Sequence, residues 1–523
     1  MFKDQLHFRG GSTHGRLFTR RNNIVKFILV ILLICTTILI AIMKPWAEHD
    51  DSPTVFTDES PPESKTDIKK TKKPLVLPSE LIAKIENKTS HYKKEQFTEE
   101  ALKKNGLIPV TAILLGWKRR ESLQLVVSYL SKYPFVKEIL IWNNNDEIRL
   151  NVKDFKLINS DGMVLNVFNS DENLHDLSKH TTCSMAKYDY CYYQDDDWLN
   201  MYMDSMYTNF LNNPSLIHSN TMPIIHLEHR RWMFANADKN LHTGFTWFGC
   251  GSFVPRAKVQ RFLGQLGSIS LAKERLKLSD MYFSIWTNQY PYQLSNPLTP
   301  LDQQEGWSNS VDQWAIVYGN ILDSIQKLYT ALAVNTGSEL FVREEEKPYF
   351  TPCLNDKCLF ITNIDPFPHP SRIYYANNVT HIHEHEHKFN ELDFPSNTFW
   401  DQHAYHNAVD LDEKTCWNSF RIPHVGDYFG LQFVEPKSYK KIKIISSKDI
   451  SNFDASFNIK TSSNDTLDKL ETNGDSNVLY NSITIEFDCI NNEPISFIKV
   501  EASRNFTEPF DICSMVLDDN FII

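Results

Sequence analysis

The sequence lacks an excess of positive charge. Its 54 lysines and arginines are outnumbered by 65 aspartates and glutamates, a formal charge of −11 over 523 residues. Nucleic-acid phosphates are held by clustered Lys and Arg. No DNA- or RNA-binding motif is present either, so nucleic acid is not an expected partner. No internal repeat is visible. Cysteine is sparse, at nine residues. What is present suffices for folding: hydrophobic residues make up 41% and aromatics 12%, and the length suits about three domains.

The N-terminus carries a long apolar run. Ile24 to Met43 is interrupted only mildly, by Cys35, Thr36 and Thr37. Twenty helical residues at 1.5 Å rise span about 30 Å, the thickness of a bilayer's hydrocarbon core. Lys26, in the first turn, can snorkel to the headgroups. Arg9, Arg16, Arg20 and Arg21 precede the run, while Glu48, Asp50 and Asp51 follow it. The positive-inside rule then puts residues 1–23 in the cytosol, makes 24–43 a single-pass type II signal-anchor, and puts the rest in the lumen. A cleaved signal peptide would have a shorter apolar stretch, about 7–15 residues. The expected location is the Golgi or endoplasmic reticulum membrane. Four Asn-x-Ser/Thr sequons, at Asn87, Asn378, Asn464 and Asn505, all fall on the lumenal side. They are the expected glycosylation sites. Eight of the cysteines are lumenal and can form disulfides there. Cys353 with Cys358 suits a local loop, Cys489 with Cys513 suits a bridge between strands, and the rest are unassigned.

Residues 44–104 are rich in Lys, Glu, Ser, Thr and Pro and read as a stem, with a short helix within 75–92. At Pro109 the texture changes. Val110 to Leu115 is a short buried strand. Leu123, Val126, Val127 and Leu130 recur at helical spacing, and Glu138 to Trp142 is a second strand. A third strand at Val164 to Phe168, a helix over 174–186, and a fourth strand at Tyr190 to Tyr193 follow. This alternation predicts an α/β domain over 105–345, a mostly parallel sheet with helices on both faces, ending in a long helix through Trp314 and Leu328. Residues 346–395 read as a connecting segment. From 396 to 523, short strand-like runs between polar turns predict an all-β sandwich.

The sharpest chemical signal is Tyr190-Asp-Tyr-Cys-Tyr-Tyr-Gln-Asp-Asp-Asp-Trp198, an aromatic strand that stops at three carboxylates. In open α/β sheets, ligands bind beyond the carboxyl ends of strands. Closely spaced Asp side chains are hard oxygen ligands suited to Mn²⁺ or Mg²⁺. Such an ion neutralises a diphosphate in the ground state and as it leaves. The plain alternative for the triplet is an acidic loop. Four histidines, His381, His383, His385 and His387, alternate with Ile382, Glu384 and Glu386. They make either a one-faced Zn²⁺ or Ni²⁺ site on a strand or, the favoured reading, a solvated linker.

Several of these stretches together resemble the exostosin-like α-hexosaminyltransferases. They are Val110 to Leu115 with Gly116-Trp-Lys-Arg-Arg120, Ile139-Leu-Ile-Trp-Asn-Asn-Asn145, and Gln194-Asp-Asp-Asp197. The resemblance covers about 105–330. It implies a GT-A, Rossmann-like fold and a retaining transfer of an N-acetylhexosamine from a UDP-sugar to a glycan, glycoprotein or glycolipid. It implies that Arg119 or Arg120, with Asn143 and Asn144, contacts the nucleotide end of the donor. Asp195 and Asp196 then hold ribose and sugar hydroxyls, and Asp197 holds the metal, Mn²⁺ or Mg²⁺. The family's Asn-Arg pair before the metal strand is missing; Asn173 and Lys179 lie nearby, and Lys179 supplies the cation in its place. Trp247-Phe-Gly-Cys-Gly-Ser-Phe253 resembles the Gly-rich strand beneath the acceptor, where small residues let backbone approach a sugar. Asp280, in Ser279-Asp-Met-Tyr-Phe283, is then the catalytic carboxylate near the anomeric carbon or the acceptor hydroxyl; its structural alternative is a helix N-cap. Trp307 follows without the family's adjacent Arg. The stretches Ala408 to Ser419 and Gly426 to Phe433 resemble a discoidin-type jelly-roll module. Two alternatives stay open: a GT-A transferase using galactose, glucose or mannose donors, and a catalytically silent carbohydrate-binding protein. The sequence does not set the oligomeric state and leaves a homodimer open.

Overall fold

In the computed structural model the described residues are 79–158, 162–269, 271–301, 312–334, 349–365, 367, 371–372, 399–438, 441–448, 456–462, 471–477, 480–486 and 494–517. All belong to the unit Pro74–Ile523, one of two into which the chain divides, the other being Met1–Lys73. Ile24–Met43, Trp307, Asn378, His381–His387 and Asn464 lie outside them. Among the described residues no helix is long and apolar enough to cross a membrane.

The centre is β1 (Val110–Gly116), buried along almost its whole length. It pairs in parallel with β2 (Val136–Asn143), and β2 in turn with β3 (Val164–Asn169). On its other side β1 pairs, again in parallel, with β4 (Tyr190–Gln194). Parallel neighbours need long crossovers. Helix α1 (Arg120–Leu130) supplies one and α2 (Leu177–Ser184) another. Alternate side chains of β1 feed two cores. Ala112 and Leu114 join Leu123, Val126 and Val127 of α1 on one face. Ile113 joins the opposite cluster. That second core also takes Val259 and Phe262 of α5 (Arg256–Ser268), Phe283 of α6 (Ser279–Trp286) and Ile321 and Ile325 of α7 (Asp312–Val334). Helices therefore cover both faces, and β1 with β2 is buried on each side.

Beyond β4 the sheet continues through β6 (Ser252–Pro255), β5 (His218–Thr221), β7 (Tyr292–Ser295) and β8 (Tyr349–Pro352). Only β6 runs against the others. The carboxyl ends of β1, β4, β5 and β7 consequently open on one edge.

Three sequence expectations are revised. Residues 346–395 are more than a connector. They supply β8 and β9 (Cys358–Thr362), a hairpin closed by the Cys353–Cys358 disulfide. Through β9 the sheet runs on into β10 (Tyr428–Lys437), β12 (Ile495–Ala502) and β11 (Phe457–Thr461), twelve strands in one ladder. Strands of four or five residues leave too little alternation to be read from sequence. A four-stranded sheet of residues 441–446, 471–477, 480–486 and 514–517 accompanies them. The core of this sandwich gathers Trp400, Trp417, Phe429, Ile442 and Ile498. Cys513 pairs with Cys416 rather than Cys489, because Trp417–Asn418 lies antiparallel to Asp511–Ile512. Cys489 is outside the described residues.

The end of the expected stem is folded onto the α/β core. Ile85 and Phe97 are buried there, and Tyr92 packs edge-on against Tyr207. The Lys132 ammonium donates to the carbonyls of Ile85 and Glu86, at 2.6 and 2.7 Å, which holds the C-terminal end of helix Ser79–Asn87. Asp204, on α3 (Met203–Asn212), accepts from Ser90 Oγ at 2.7 Å and His91 N at 2.6 Å. Asp356, from the 353–358 disulfide loop, caps the same helix through Ser205 N and pairs with Lys88 at 3.1 Å. Burial, and then the Asp356 charge, push the Asp204 carboxyl up to about 7 from its ordinary 3.8. With a raised folded pKa, this group's stabilisation is full below about 3.8 and is lost as pH rises through about 7. The melting temperature is therefore expected to be higher at about pH 5.5 than at about pH 8, with roughly 2–4 °C for each kcal/mol. Asp204→Asn keeps an acceptor for Ser90 and His91 but does not titrate, so scanning fluorimetry at the two pH values should show a smaller difference in that variant.

Candidate functional site

The strand order β3-β2-β1-β4 places the direction change of the chain between β1 and β4. In open α/β sheets that is where a crevice forms outside the carboxyl ends. Two segments meet there: Gly116 to Arg120 after β1 and Asp195 to Asp197 after β4.

The triplet is held by its neighbours. Asp195 N donates to Gly249 O at 2.8 Å. Gln194 Nε2 donates to Trp198 O at 2.7 Å, and its Oε1 accepts from Tyr192 OH at 2.8 Å. Leu301 N donates to Asp197 O at 2.8 Å. The glycines of 247–253 permit this close packing. A Cβ on Gly249 would stand 2.0 Å from Asp195 Oδ2, and Gly251, at φ +104°, lies against the Tyr192 hydroxyl. Cys250 between them is the free cysteine among the described residues; burial, then the charges of Asp197 and Asp195, push its thiol far up.

Two cations serve five carboxylates. Arg119 NH1 lies 2.8 Å from Asp196 Oδ1 and 3.4 Å from Asp197 Oδ2. Lys179 Nζ lies 3.1 Å from Asp195 Oδ2, 3.0 Å from Asp280 Oδ2 and 3.5 Å from Asp176 Oδ1. Burial alone would lower the Lys179 pKa, but Asp195, Asp280 and Asp176 hold it well above the ordinary value. Negative charge remains in excess. Burial, opposed by Arg119 and reinforced by Asp197, lifts Asp196 to about 7. Burial and Asp195 lift Asp197 to about 6, although its side chain keeps 27% of its surface. Asp176 rises to about 8 through burial and Asp280. Asp195 Oδ1 is buried with no hydrogen-bond partner.

The other expected site residues divide. Lys179 joins Asp195 to Asp280, so those three come together. Arg120 does not reach the triplet and pairs with Asp154 at 3.1 Å. Asn143 borders a cleft with Gly116, Trp117, Leu123, Ile148 and Leu150, yet its amide is spent on Ile148 O and Asn169 Oδ1, at 2.6 and 2.9 Å. Asn144 donates to Ser178 Oγ and accepts from Leu174 N, which ties the end of β2 to α2. Both asparagines shape the crevice from behind. Asp280 is not an N-cap: it is the second residue of α6, whose cap position is Leu278. At 1% exposure, its oxygens face Lys179 and, at 3.1 Å, His180 Nε2. Burial would raise its pKa, but the Lys179 charge and His180 hold it below the ordinary value. Asp176 and His180 were not picked out from sequence; the available hint was Asp176 three residues before Lys179 on one helical turn. Asn87 and Asn505 are exposed, and Asn505 Oδ1 accepts from Val425 N.

Fold and site together define an open α/β sheet with an acidic crevice at its switch point. No protein-family model matches the chain, and none of the curated proteins matches it. Solved structures similar to it include the mannosyltransferase PcManGT from Pyrobaculum calidifontis in complex with GDP-Man and Mn²⁺. That likeness has 10% identity and a TM-score of 0.28, over 49% of this chain and 70% of that one. Another is TarS 1–349 from S. aureus in complex with UDP, at 12% identity and a TM-score of 0.28, over 46% and 77%. Likeness of this degree assigns no activity.

Proposed function

We propose that the chain is a glycosyltransferase that takes its sugar from a nucleotide-sugar donor, with Asp195, Asp196 and Asp197 as the centre of the donor site. The observation that carries this reading is the excess of carboxylate at the switch point. Five acidic side chains face two fixed cations, and burial together with neighbouring carboxylates raises the pKa of three of them, Asp176, Asp196 and Asp197. Among the described residues no group of three or more His, Cys, Asp or Glu side chains is already arranged as a metal cage. A divalent ion whose remaining ligands come from a diphosphate needs only one or two carboxylates. The orphaned Asp195 Oδ1 and the partly open Asp197 fit that requirement, with Mn²⁺ or Mg²⁺ as the ion. Once bound, the ion would neutralise charge on the departing diphosphate.

The chain's own residues do the rest. The cleft along Trp117, Ile148 and Leu150 takes the nucleoside. Arg119 steadies Asp196 and Asp197 and stands ready for the diphosphate. Lys179 brings a second positive charge to Asp195, and Asp280 serves the transfer from behind Lys179 by keeping that ammonium charged and in place. The finer reading is retaining transfer of an N-acetylhexosamine from UDP to a glycan or glycoconjugate, within 105–345, with the jelly-roll part at 396–523 engaging surface glycans. The chain would be a type II protein of the Golgi or endoplasmic reticulum, anchored by 24–43 and glycosylated at Asn87, Asn378, Asn464 and Asn505. The three disulfides among the described residues support an oxidising compartment. The test is hydrolysis of a panel of nucleotide sugars with and without Mn²⁺. One donor should be turned over in a metal-dependent way; no turnover and no nucleotide binding across the panel would leave a carbohydrate-binding protein instead.

A further inference from the structure

Asp280 is supported from its far side by a line of groups that the donor site does not use. Lys179 and His180 are consecutive on α2, yet both side chains reach Asp280, Lys179 at Oδ2 (3.0 Å) and His180 at Oδ1 (3.1 Å). Behind the imidazole, His180 Nδ1 lies 3.3 Å from Tyr193 OH. His180 is fully buried. Phe283, Phe262 and Phe248 stand around its ring at 4.6, 5.2 and 6.4 Å between centroids. Neither His180 Nε2 nor Asp280 Oδ1 makes a hydrogen bond in this geometry, so the 3.1 Å approach is a close polar contact between two buried atoms that have no other partner.

We propose that His180 is a positioning residue for the transfer reaction: a neutral imidazole, backed by the Tyr193 hydroxyl, that fixes the Asp280 carboxylate against Lys179. This rests on the glycosyltransferase reading above. The chemistry leaves one arrangement. The aromatic box disfavours an imidazolium, and burial, opposed by Asp280, keeps the ring's pKa below the ordinary value. A neutral imidazole donates from one nitrogen and accepts at the other. Asp280 is an anion and can only accept, so Nε2 carries the hydrogen. Nδ1 is then the acceptor, and the Tyr193 hydroxyl, 3.3 Å away, donates its O–H. The line adds no charge to the site. It removes the rotational freedom of a carboxylate that Lys179 alone would hold at one oxygen. Outer partners that orient the ligands of a metal site are worth about 10–100-fold in affinity or activity, and the same order is expected for a partner that orients the carboxylate holding Lys179.

The experiment uses the full chain with the donor identified from the panel. His180→Phe fills the aromatic box and deletes both ring nitrogens; His180→Gln retains an N–H that can reach Asp280. Each variant is measured for kcat, donor KM, Mn²⁺-dependent UDP affinity by calorimetry, and melting temperature. The expected result is a kcat lowered by about 10–100-fold in His180→Phe, with KM and UDP affinity within about threefold. His180→Gln should recover most of the loss, and Tyr193→Phe should show a smaller fall in kcat of the same kind. A purely structural role would lower the melting temperature and leave kcat per folded molecule unchanged, and that result overturns the proposal. So does a His180→Phe loss that appears equally in UDP affinity. If His180→Phe does not fold, Tyr193→Phe decides: an unaltered kcat overturns the proposal and a selective fall supports it. The two readings fail separately. Should Asp197→Ala keep full Mn²⁺-dependent UDP binding, the donor site itself is misplaced. If that binding is lost while the His180 and Tyr193 variants turn over normally, only the positioning role falls.

Discussion

Asp197→Ala is expected to abolish Mn²⁺-dependent UDP binding and to lower donor turnover by about 10²–10³-fold, the loss seen when a main electrostatic stabiliser is removed from a preorganised site. The argument is one of charge. Burial, and then the Asp195 charge, push the Asp197 carboxyl up to about 6, so the folded chain resists ionising it. Deleting that carboxylate relieves repulsion and leaves Arg119 to Asp196 alone, at 2.8 Å. The fold should therefore be as stable as before, or slightly more stable. An acidic loop with no ligand would show the same unaltered stability and also unaltered nucleotide binding. Calorimetric titration of UDP with and without Mn²⁺ separates the two. Equal affinity in the variant and the parent, both metal-dependent, would remove Asp197 from the site.

Arg120 offers a contrast on the same segment. It is as basic as Arg119 and adjacent in sequence, but it opens α1 and turns to Asp154. Its removal should leave the ion pairs of the triplet intact, although Arg120 also lines the cleft beside Trp117 and Ile148. The sequence left the choice between Arg119 and Arg120 open because a strand-to-helix turn separates neighbouring side chains by an angle that only the structure fixes.

What could be read from the sequence follows the range of the interactions involved. The strands of the α/β part were legible because each is a short apolar run followed by helical spacing, and β1, β2 and β4 fall within a residue or two of the expected places. The triplet was legible because three carboxylates directly after an aromatic strand are a local signal. The partnership of Lys179 with Asp280 bridges 101 residues of chain, and no local pattern encodes it. His180 gave no signal because a buried histidine beside phenylalanines looks like core. Gly249 was noticed, but a sequence shows that a glycine is small without showing what approaches it; here that is the Asp195 side chain. The fusion of the two sheets was hidden for a different reason. Between β7 and β8 the contact is a single register pair, Leu294 with Phe350, and the continuity depends on tertiary pairing rather than on propensity.

The largest stability effect is expected from Lys179→Met. The Lys179 side chain is 4% exposed and faces Asp280, Asp195 and Asp176. Methionine fills much the same volume, so the change isolates the charge. Removing one partner of a buried ionic cluster leaves the others uncompensated, at about 3–5 kcal/mol. In a chain of this size that corresponds to a melting temperature lower by roughly 6–20 °C. Two controls identify the cause. Adding Asp280→Asn to Lys179→Met takes away one of the stranded charges and should restore part of the loss, a non-additivity expected only of groups in contact. Mn²⁺ bound at the proposed site would favour the native state, so it should raise the melting temperature of Lys179→Met more than that of the parent, since the variant offers the ion a more negative site. Lys179→Arg retains the charge but substitutes a planar fork for a point charge held by three separate carboxylates, so it should fall between the parent and Lys179→Met. A Lys179→Met chain that melts with the parent, and gains nothing from Asp280→Asn or from Mn²⁺, would mean that Lys179 does not hold these carboxylates together, and the site would lose the bridge between the triplet and Asp280.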